Sequence, residues 1–268
     1  MQPQSIKLRQ KIERGDAATG AAIASFSAEV MDAAVLAGLD FVRIDHEHAF
    51  RRDTSTENLV RIGLAGGVAA IVRIDRAEME LAPKLLEIGA EGVIVAGVRG
   101  VDDARAAVAA ARFPPLGERG YSPNCFSARW GAVDPEAWIR WSNDQPLLGV
   151  TIENPAAVAA IADVVALPGL DFIQFGWADF SVASGLSKPD KFHPKVVDAR
   201  RTVFAATRRA GKHIMMGVEQ DAAAVADALA MGVRMLEYGR DLAALMRVWR
   251  AAAAMTGDAQ AKAASGTR

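Results

Sequence analysis

Short apolar runs alternate with longer amphipathic ones along almost the whole 268-residue chain, and this alternation limits the folds open to it more than any other feature. Eight runs read as strands: Gly20 to Phe26, Asp40 to Asp45, Ala69 to Ile74, Gly92 to Ala96, Leu148 to Glu153, Asp171 to Phe175, His213 to Gly217 and Arg234 to Tyr238. They are rich in Val, Ile, Leu and Ala, as strands buried on both faces must be. Between them, apolar residues recur at three- and four-residue spacing, as in Val30, Ala33, Ala34 and Leu36 after Ser27, or Leu81, Leu85 and Leu86 before Gly89. Gly38, Gly89 and Gly232 follow helical segments at the place of a left-handed C-cap. Eight such units in a chain of this length predict an α/β fold, the (β/α)8 TIM barrel. A doubly wound open sheet is the main competitor. It usually carries a glycine-rich phosphate turn after its first strand, and Ser25-Phe26-Ser27-Ala28 stands there instead.

With 51% hydrophobic side chains the chain can bury one large core, and no internal stretch reads as a linker. A single barrel domain is expected over residues 1–255. The stretch 256–268, rich in Ala, Gly, Ser and Thr, is expected to be a disordered tail. One interval breaks the rhythm: from Phe113 to Pro146 there is a long insertion, with a short helix expected around Pro135 to Trp141. Because it follows the fourth helix, it belongs on the far end of the barrel unless it folds over the mouth or reaches a neighbouring subunit. Trp130, Trp138 and Trp141 within it suit either a subunit interface or the covering of a barrel end.

Lys+Arg 31 against Asp+Glu 32 gives a formal net charge of -1, so no bulk field favours a nucleic acid or an anionic membrane. A small-molecule partner is expected instead. The first residues contain no apolar signal-peptide core, and no apolar run approaches the roughly 20 residues of a membrane span, which predicts a soluble, cytoplasmic protein. A single cysteine, Cys125, excludes an internal disulfide and a cysteine-based metal cage.

Function is written at the strand ends. The second strand runs straight into Asp45-His46-Glu47-His48; the third carries Arg73; the fifth ends in Glu153; the sixth leads to Gly176-Trp177-Ala178-Asp179; the eighth carries Glu237 and Arg240. Apolar strands that repeatedly end in charge predict a shared polar site at the C-terminal mouth of the barrel. Glu153 and Asp179 are suited to a hard divalent cation with open positions, although Asp179 before Phe180-Ser181 also suits a helix N-cap. Arg73 cannot discharge and needs an anionic partner. His48 fits either a solvated loop histidine or a base oriented by Asp45. His193 and His213 have no comparable surroundings and read as structural.

In these residues the chain resembles the HpcH/HpaI family of metal-dependent class II pyruvate aldolases. The likeness is carried by Ile44-Asp45-His46-Glu47-His48-Ala49, Val72-Arg73, Leu85-Leu86-Glu87-Ile88-Gly89-Ala90, Phe113-Pro114-Pro115-Leu116-Gly117-Glu118-Arg119-Gly120, Ile152-Glu153 and Gly176-Trp177-Ala178-Asp179-Phe180-Ser181. It implies a (β/α)8 barrel whose C-terminal helix is exchanged between subunits of a homo-oligomer, trimer or hexamer. It also implies one divalent metal ion (Mg²⁺, Mn²⁺ or Co²⁺) on Glu153 and Asp179, Arg73 at the keto oxygen, and an acid-base dyad of His48 oriented by Asp45. The substrate carboxylate would lie on backbone N–H groups near Ala178 and Asp179, with Thr151, Gly176 and Trp177 beside it.

The implied reaction cleaves a 4-hydroxy-2-oxo acid between C3 and C4 into pyruvate and an aldehyde, with the developing enolate stabilised by the cation and Arg73. Several positions depart from the family pattern: His46 for Gly, Phe50 for Pro, Thr151 for Gln, Ala96 and Trp177 for Pro, and Glu237 and Arg240 for small or apolar residues. These departures imply intact enolate machinery with an altered acceptor pocket. Two other functions compete: decarboxylation of an oxaloacetate-type acid through the same enolate, and a catalytically silent oligomeric binding protein. The second is disfavoured by retention of Arg73, Glu153 and Asp179. A citrate-lyase-type CoA thioester enzyme lacks a basic patch for the adenine phosphates.

Overall fold

Continuous apolar runs give every strand two faces to bury, and the computed structural model, which describes residues 6–49 and 54–265, uses both. Eight parallel strands close on themselves in chain order: β1 (Ala18–Ile23), β2 (Phe41–Asp45), β3 (Ala69–Asp75), β4 (Gly92–Val98), β5 (Leu147–Ile152), β6 (Phe172–Phe175), β7 (His213–Gly217) and β8 (Met235–Arg240). The expected (β/α)8 barrel is the observed fold. Outward residues such as Val42, Ile44, Val72, Ile74, Val93 and Val95 are fully buried under the helices. Inward residues Phe41, Ile71, Ile94, Leu147, Phe172 and Met215 fill the lumen. Each fully buried aliphatic side chain contributes about 1.5–3 kcal/mol, so these two rows carry the stability and leave the mouth free for polar groups.

Two glycines make room for the lumen's aromatic rings. A Cβ on Gly20 would sit 2.5 Å from the Phe41 ring, and one on Gly149 would sit 2.3 Å from the Phe172 ring. The lumen is closed below by α1 (Lys7–Glu13), whose flanking Ile6 and own Leu8 and Ile12 join the inner cluster.

The outer layer consists of α2 (Ala28–Leu36), α3 (Ser55–Gly66), α4 (Ala82–Glu87), α5 (Val101–Ala111), α6 (Pro135–Asp144), α7 (Pro155–Ala159), α8 (Ile161–Val165), α9 (Trp177–Ala183), α10 (Pro194–Arg209), α11 (Ala222–Ala230) and α12 (Asp241–Ser265). Ser27 caps α2 by accepting from Val30 N–H at 3.2 Å. Gly38, Gly89 and Gly232 have φ of 74°, 102° and 89°, the left-handed turns their positions predict.

The insertion lies at the N-terminal end of the barrel, next to α1: Ile6 N–H donates to Gln145 Oε1, and Arg9 donates to Gln145 O. Trp138 is fully buried there with Phe113, Cys125, Ala128 and Val133, and Trp141 packs beside it. Those two tryptophans cover the barrel end, whereas Trp130 is 67% exposed. His193 caps α10 by accepting from Lys195 N–H, and His213 starts β7, both in structural positions.

The stretch from Thr256 departs from expectation. It continues α12 through Ser265 instead of forming a tail without regular structure. Alanines recur at 251–254, 259, 261 and 263–264, and their high helix propensity outweighs the low complexity read as disorder. No helix among the described residues is long and apolar enough to cross a membrane.

Candidate active site at the barrel mouth

Strand parity decides who meets whom at the mouth. Phe41, Arg43 and Asp45 share the inward face of β2, and Asp45 is the direct register partner of Arg73 on β3. Arg73 Nε and Nη2 therefore donate to the two Asp45 oxygens at 3.0 and 2.7 Å. Arg240, at the end of β8, reaches Asp45 Oδ2 at 2.9 Å, and Arg43 Nη1 lies 3.5 Å from it. Asp45 is fully buried; burial favours its neutral form, but Arg73, Arg43 and Arg240 hold it well below the usual carboxylate range.

The guanidinium groups occupy the Asp45 oxygens, and the bond of Asp45 to His48 is from the backbone N–H, at 3.4 Å. The group facing the ring is Glu47, with Oε2 3.7 Å from His48 Nε2. Glu47 Oε2 also lies 2.7 Å from Arg73 Nη1, an ion-pair approach without hydrogen-bond alignment, which leaves that buried oxygen without a directed donor. Burial raises the Glu47 carboxyl from its ordinary value, with Asp45 and Asp179 adding to the shift against Arg73 and His48. His46 turns away, its Nε2 2.6 Å from Thr56 Oγ1 and its ring edge-on to Phe26. Phe50 lies outside the described residues.

On the opposite side, Glu153 follows β5 directly and is 7% exposed. Its Oε1 accepts Gly97 N–H at 2.5 Å, and Gly176 leaves room for it, since a Cβ there would sit 2.6 Å from Oε2. Burial, then the nearby charges of Glu47 and Asp179, push its carboxyl up to about 7. Asp179 lies in the first turn of α9, whose N-cap is Gly176, so the N-cap reading of Asp179 is set aside. Gly176 supplies no side-chain cap to the first N–H groups of α9, around Trp177, Ala178 and Asp179. Trp177 is 40% exposed at the rim, and the Thr151 hydroxyl donates to Gln174 Oε1 at 3.4 Å.

Glu47 and Glu153 thus share one buried place with Asp179 beside them, and the crowding of carboxyl groups adds to burial in raising Glu47 and Glu153. Carboxylate oxygens such as those of Glu153 and Asp179 are the donors a hard divalent ion takes, with water or substrate oxygens completing its shell. Among the described residues no group of three or more His, Cys, Asp or Glu is arranged to hold a metal.

The barrel interior also holds a charged pair that spacing along the chain does not join. Arg43 Nε and Nη2 donate to Glu237 at 2.6 and 2.9 Å inside the barrel. The signal was present: each is a charged residue in the middle of an apolar strand at inward parity.

A closed barrel with carboxylates, guanidinium groups and a histidine gathered at the C-terminal strand ends is the build of a (β/α)8-barrel enzyme. The chain belongs to the HpcH/HpaI aldolase/citrate lyase family, whose profile matches residues 20–247, and with it to the carbon-carbon lyases. It is 29% identical over 206 residues to the 2-keto-3-deoxy-L-rhamnonate aldolase of Escherichia coli O157:H7, 76% of each chain. Among solved structures it resembles an HpcH/HpaI aldolase from Desulfitobacterium hafniense DCB-2, with a TM-score of 0.84, 30% identity, and 94% of this chain and 96% of that one covered. It likewise resembles the citrate synthase SbnG, with a TM-score of 0.84, 25% identity, and 94% and 98% covered. Members of the family generally depend on a divalent metal and act on small molecules.

Proposed function

We propose that the chain cleaves, and in reverse forms, the C3–C4 bond of a 4-hydroxy-2-oxo acid, giving pyruvate or a related 2-oxo acid and an aldehyde. The observation that supports this most is the opposition of charge across the mouth: the carboxylates Glu153 and Asp179 face a fixed guanidinium, Arg73, clamped by Asp45. A divalent ion such as Mg²⁺, Mn²⁺ or Co²⁺, held by Glu153 and Asp179, would supply Lewis-acid stabilisation of charge on the keto oxygen. Arg73 directs donors at the same oxygen without having to reorganise, because its fork is already locked. The N–H groups of Ala178 and Asp179 take the substrate carboxylate, with Thr151, Gly176 and Trp177 around it. His48, paired with Glu47, removes the proton of the C4 hydroxyl. As C3–C4 breaks, its electron pair passes to C3, which takes up a proton to complete pyruvate.

A second reading is favoured by one observation: the His48 side chain is 45% exposed and its partner is 3.7 Å away, so the acceptor-side base is the least organised part of the mouth. Decarboxylation of an oxaloacetate-type acid needs no such base. A panel of Mg²⁺, Mn²⁺ and Co²⁺ with pyruvate plus aldehydes, followed by mass spectrometry, and with oxaloacetate, followed by carbon dioxide release, separates the two. A condensation product supports the aldolase, carbon dioxide alone supports the decarboxylase, and neither product contradicts both. The protein works as a homo-oligomer, trimer or hexamer, with α12 laid on a neighbour. Its exposed Leu242, Leu245, Met246, Val248, Trp249 and Met255 supply the apolar surface for that contact.

A further inference from the structure

Arg240 is the solvent-exposed guanidinium of the mouth. Arg43 donates Nε and Nη2 to Glu237 and Arg73 donates Nε and Nη2 to Asp45; both are buried, their side chains 4% and 8% exposed. The Arg240 side chain is 41% exposed, and its ion-pair partner among the described residues is Asp45, through Nη2 at 2.9 Å. Among the described residues, the carboxylates beside it are already engaged. Asp45 already accepts from Arg73 and from His48 N–H, and Glu237 is taken by Arg43. Asp241, the next residue, accepts from the N–H groups of Ala24, Ser25 and Leu242 and from the Ser25 hydroxyl. The register partner of Arg240 on β1 is the small, uncharged Ala22. The Arg240 side chain is therefore anchored at one nitrogen and open at the others. A guanidinium so prepared binds a carboxylate with little further loss of freedom.

Position gives the role. Glu153 and Asp179 stand at the ends of β5 and β6, whereas Arg240 ends β8, beyond β7 in the closed ring and next to β1 and β2. We propose that Arg240 determines acceptor specificity by binding a carboxylate on the oxo fragment, so that the substrate bears an anionic group beyond C4. This inference rests on the aldolase reading and names its substrate class. In cleavage, the C4–OH proton goes to the base, the C3–C4 pair moves to C3, and C4 becomes the carbonyl of an oxo acid. Pyruvate and that oxo acid together contain every atom of the substrate, and no oxidant or reductant enters.

The test uses the metal-loaded, full-length protein with pyruvate and two matched pairs of acceptors: glyoxylate against glycolaldehyde, and succinic semialdehyde against butanal. Wild type should show kcat/KM at least about tenfold higher for the anionic member of each pair. Arg240→Ala should collapse that ratio toward one, and Arg240→Lys should recover part of it. A merely structural Arg240 would lower both members alike and leave the ratio intact, which overturns the proposal, as does a wild-type preference for the neutral members. Calorimetric titration of succinate into wild type and both variants reads the same contact without turnover. Absence of any condensation together with Arg240-dependent succinate binding would reject the aldolase reading and keep the carboxylate subsite. Absence of both would reject the two together.

Discussion

Glu91 shows how a single residue couples burial to pH. It sits between α4 and β4, facing a cavity of about 610 Å³ at the N-terminal end of the barrel lined also by Lys7, Phe126, Trp130 and Trp141. Burial pushes its carboxyl up to about 7, with Lys7 opposing. A carboxyl raised in the folded state contributes stability that is present below the ordinary 4.5 and lost as pH rises through about 7. The interval corresponds to about 3 kcal/mol at most, and to about 1–2 kcal/mol once solvent in the open cavity screens it. Glu91→Gln should therefore gain stability over wild type at pH 8 but not at pH 4, measured by urea unfolding; a gain independent of pH would contradict this cause. Sequence alone did not reveal Glu91, because a lone glutamate before a strand looks like any solvated turn. Asp45 and Arg73 were legible as site residues. Their pairing was not, because spacing along the chain favoured His48 while the register between β2 and β3 favoured Arg73.

At the level of elements, the turn from β6 into α9 is the tightest piece of the site. Gly176 has an ordinary φ of -84°, so alanine there carries no backbone strain, yet its Cβ would lie 2.6 Å from Glu153 Oε2 and 2.8 Å from Glu153 Cβ. Gly176→Ala should displace the carboxylate and weaken Mn²⁺ binding by at least about tenfold by calorimetry, while overpacking costs about 1–3 kcal/mol of stability. Unchanged Mn²⁺ affinity would remove Glu153 from the metal site. The eight strands were legible to within three residues at their ends, because inward and outward rows are both apolar and the breaks between them are sharp. The course of α12 past Thr256 was not, since small residues read equally as a helix without tertiary contacts and as a tail.

For the whole molecule, α12 is the part that its own barrel does not account for. Its principal contacts are with β1 and β8 near its start, and the remainder exposes an apolar row that includes Val248 (61%) and Trp249 (61%). A helix of 25 residues with such a row is stabilised by packing, not by propensity alone. Wild type should sediment as a trimer or hexamer in analytical ultracentrifugation, and Val248→Asp with Trp249→Glu should shift it to smaller species. A monomeric wild type would refute the exchange of α12. The same assembly would decide what covers Trp130.

The central claim is that the mouth of this barrel makes a pyruvate enolate with Glu153, Asp179 and Arg73, and proton exchange at C3 of pyruvate reads that step without any acceptor. In D₂O with Mg²⁺, proton NMR should show wild type exchanging the pyruvate methyl protons. Exchange should cease on chelation, return with added metal, and fall by about a hundred- to a thousandfold in Arg73→Ala. Exchange that survives exhaustive chelation, or that proceeds at the wild-type rate in Glu153→Gln, would contradict the account.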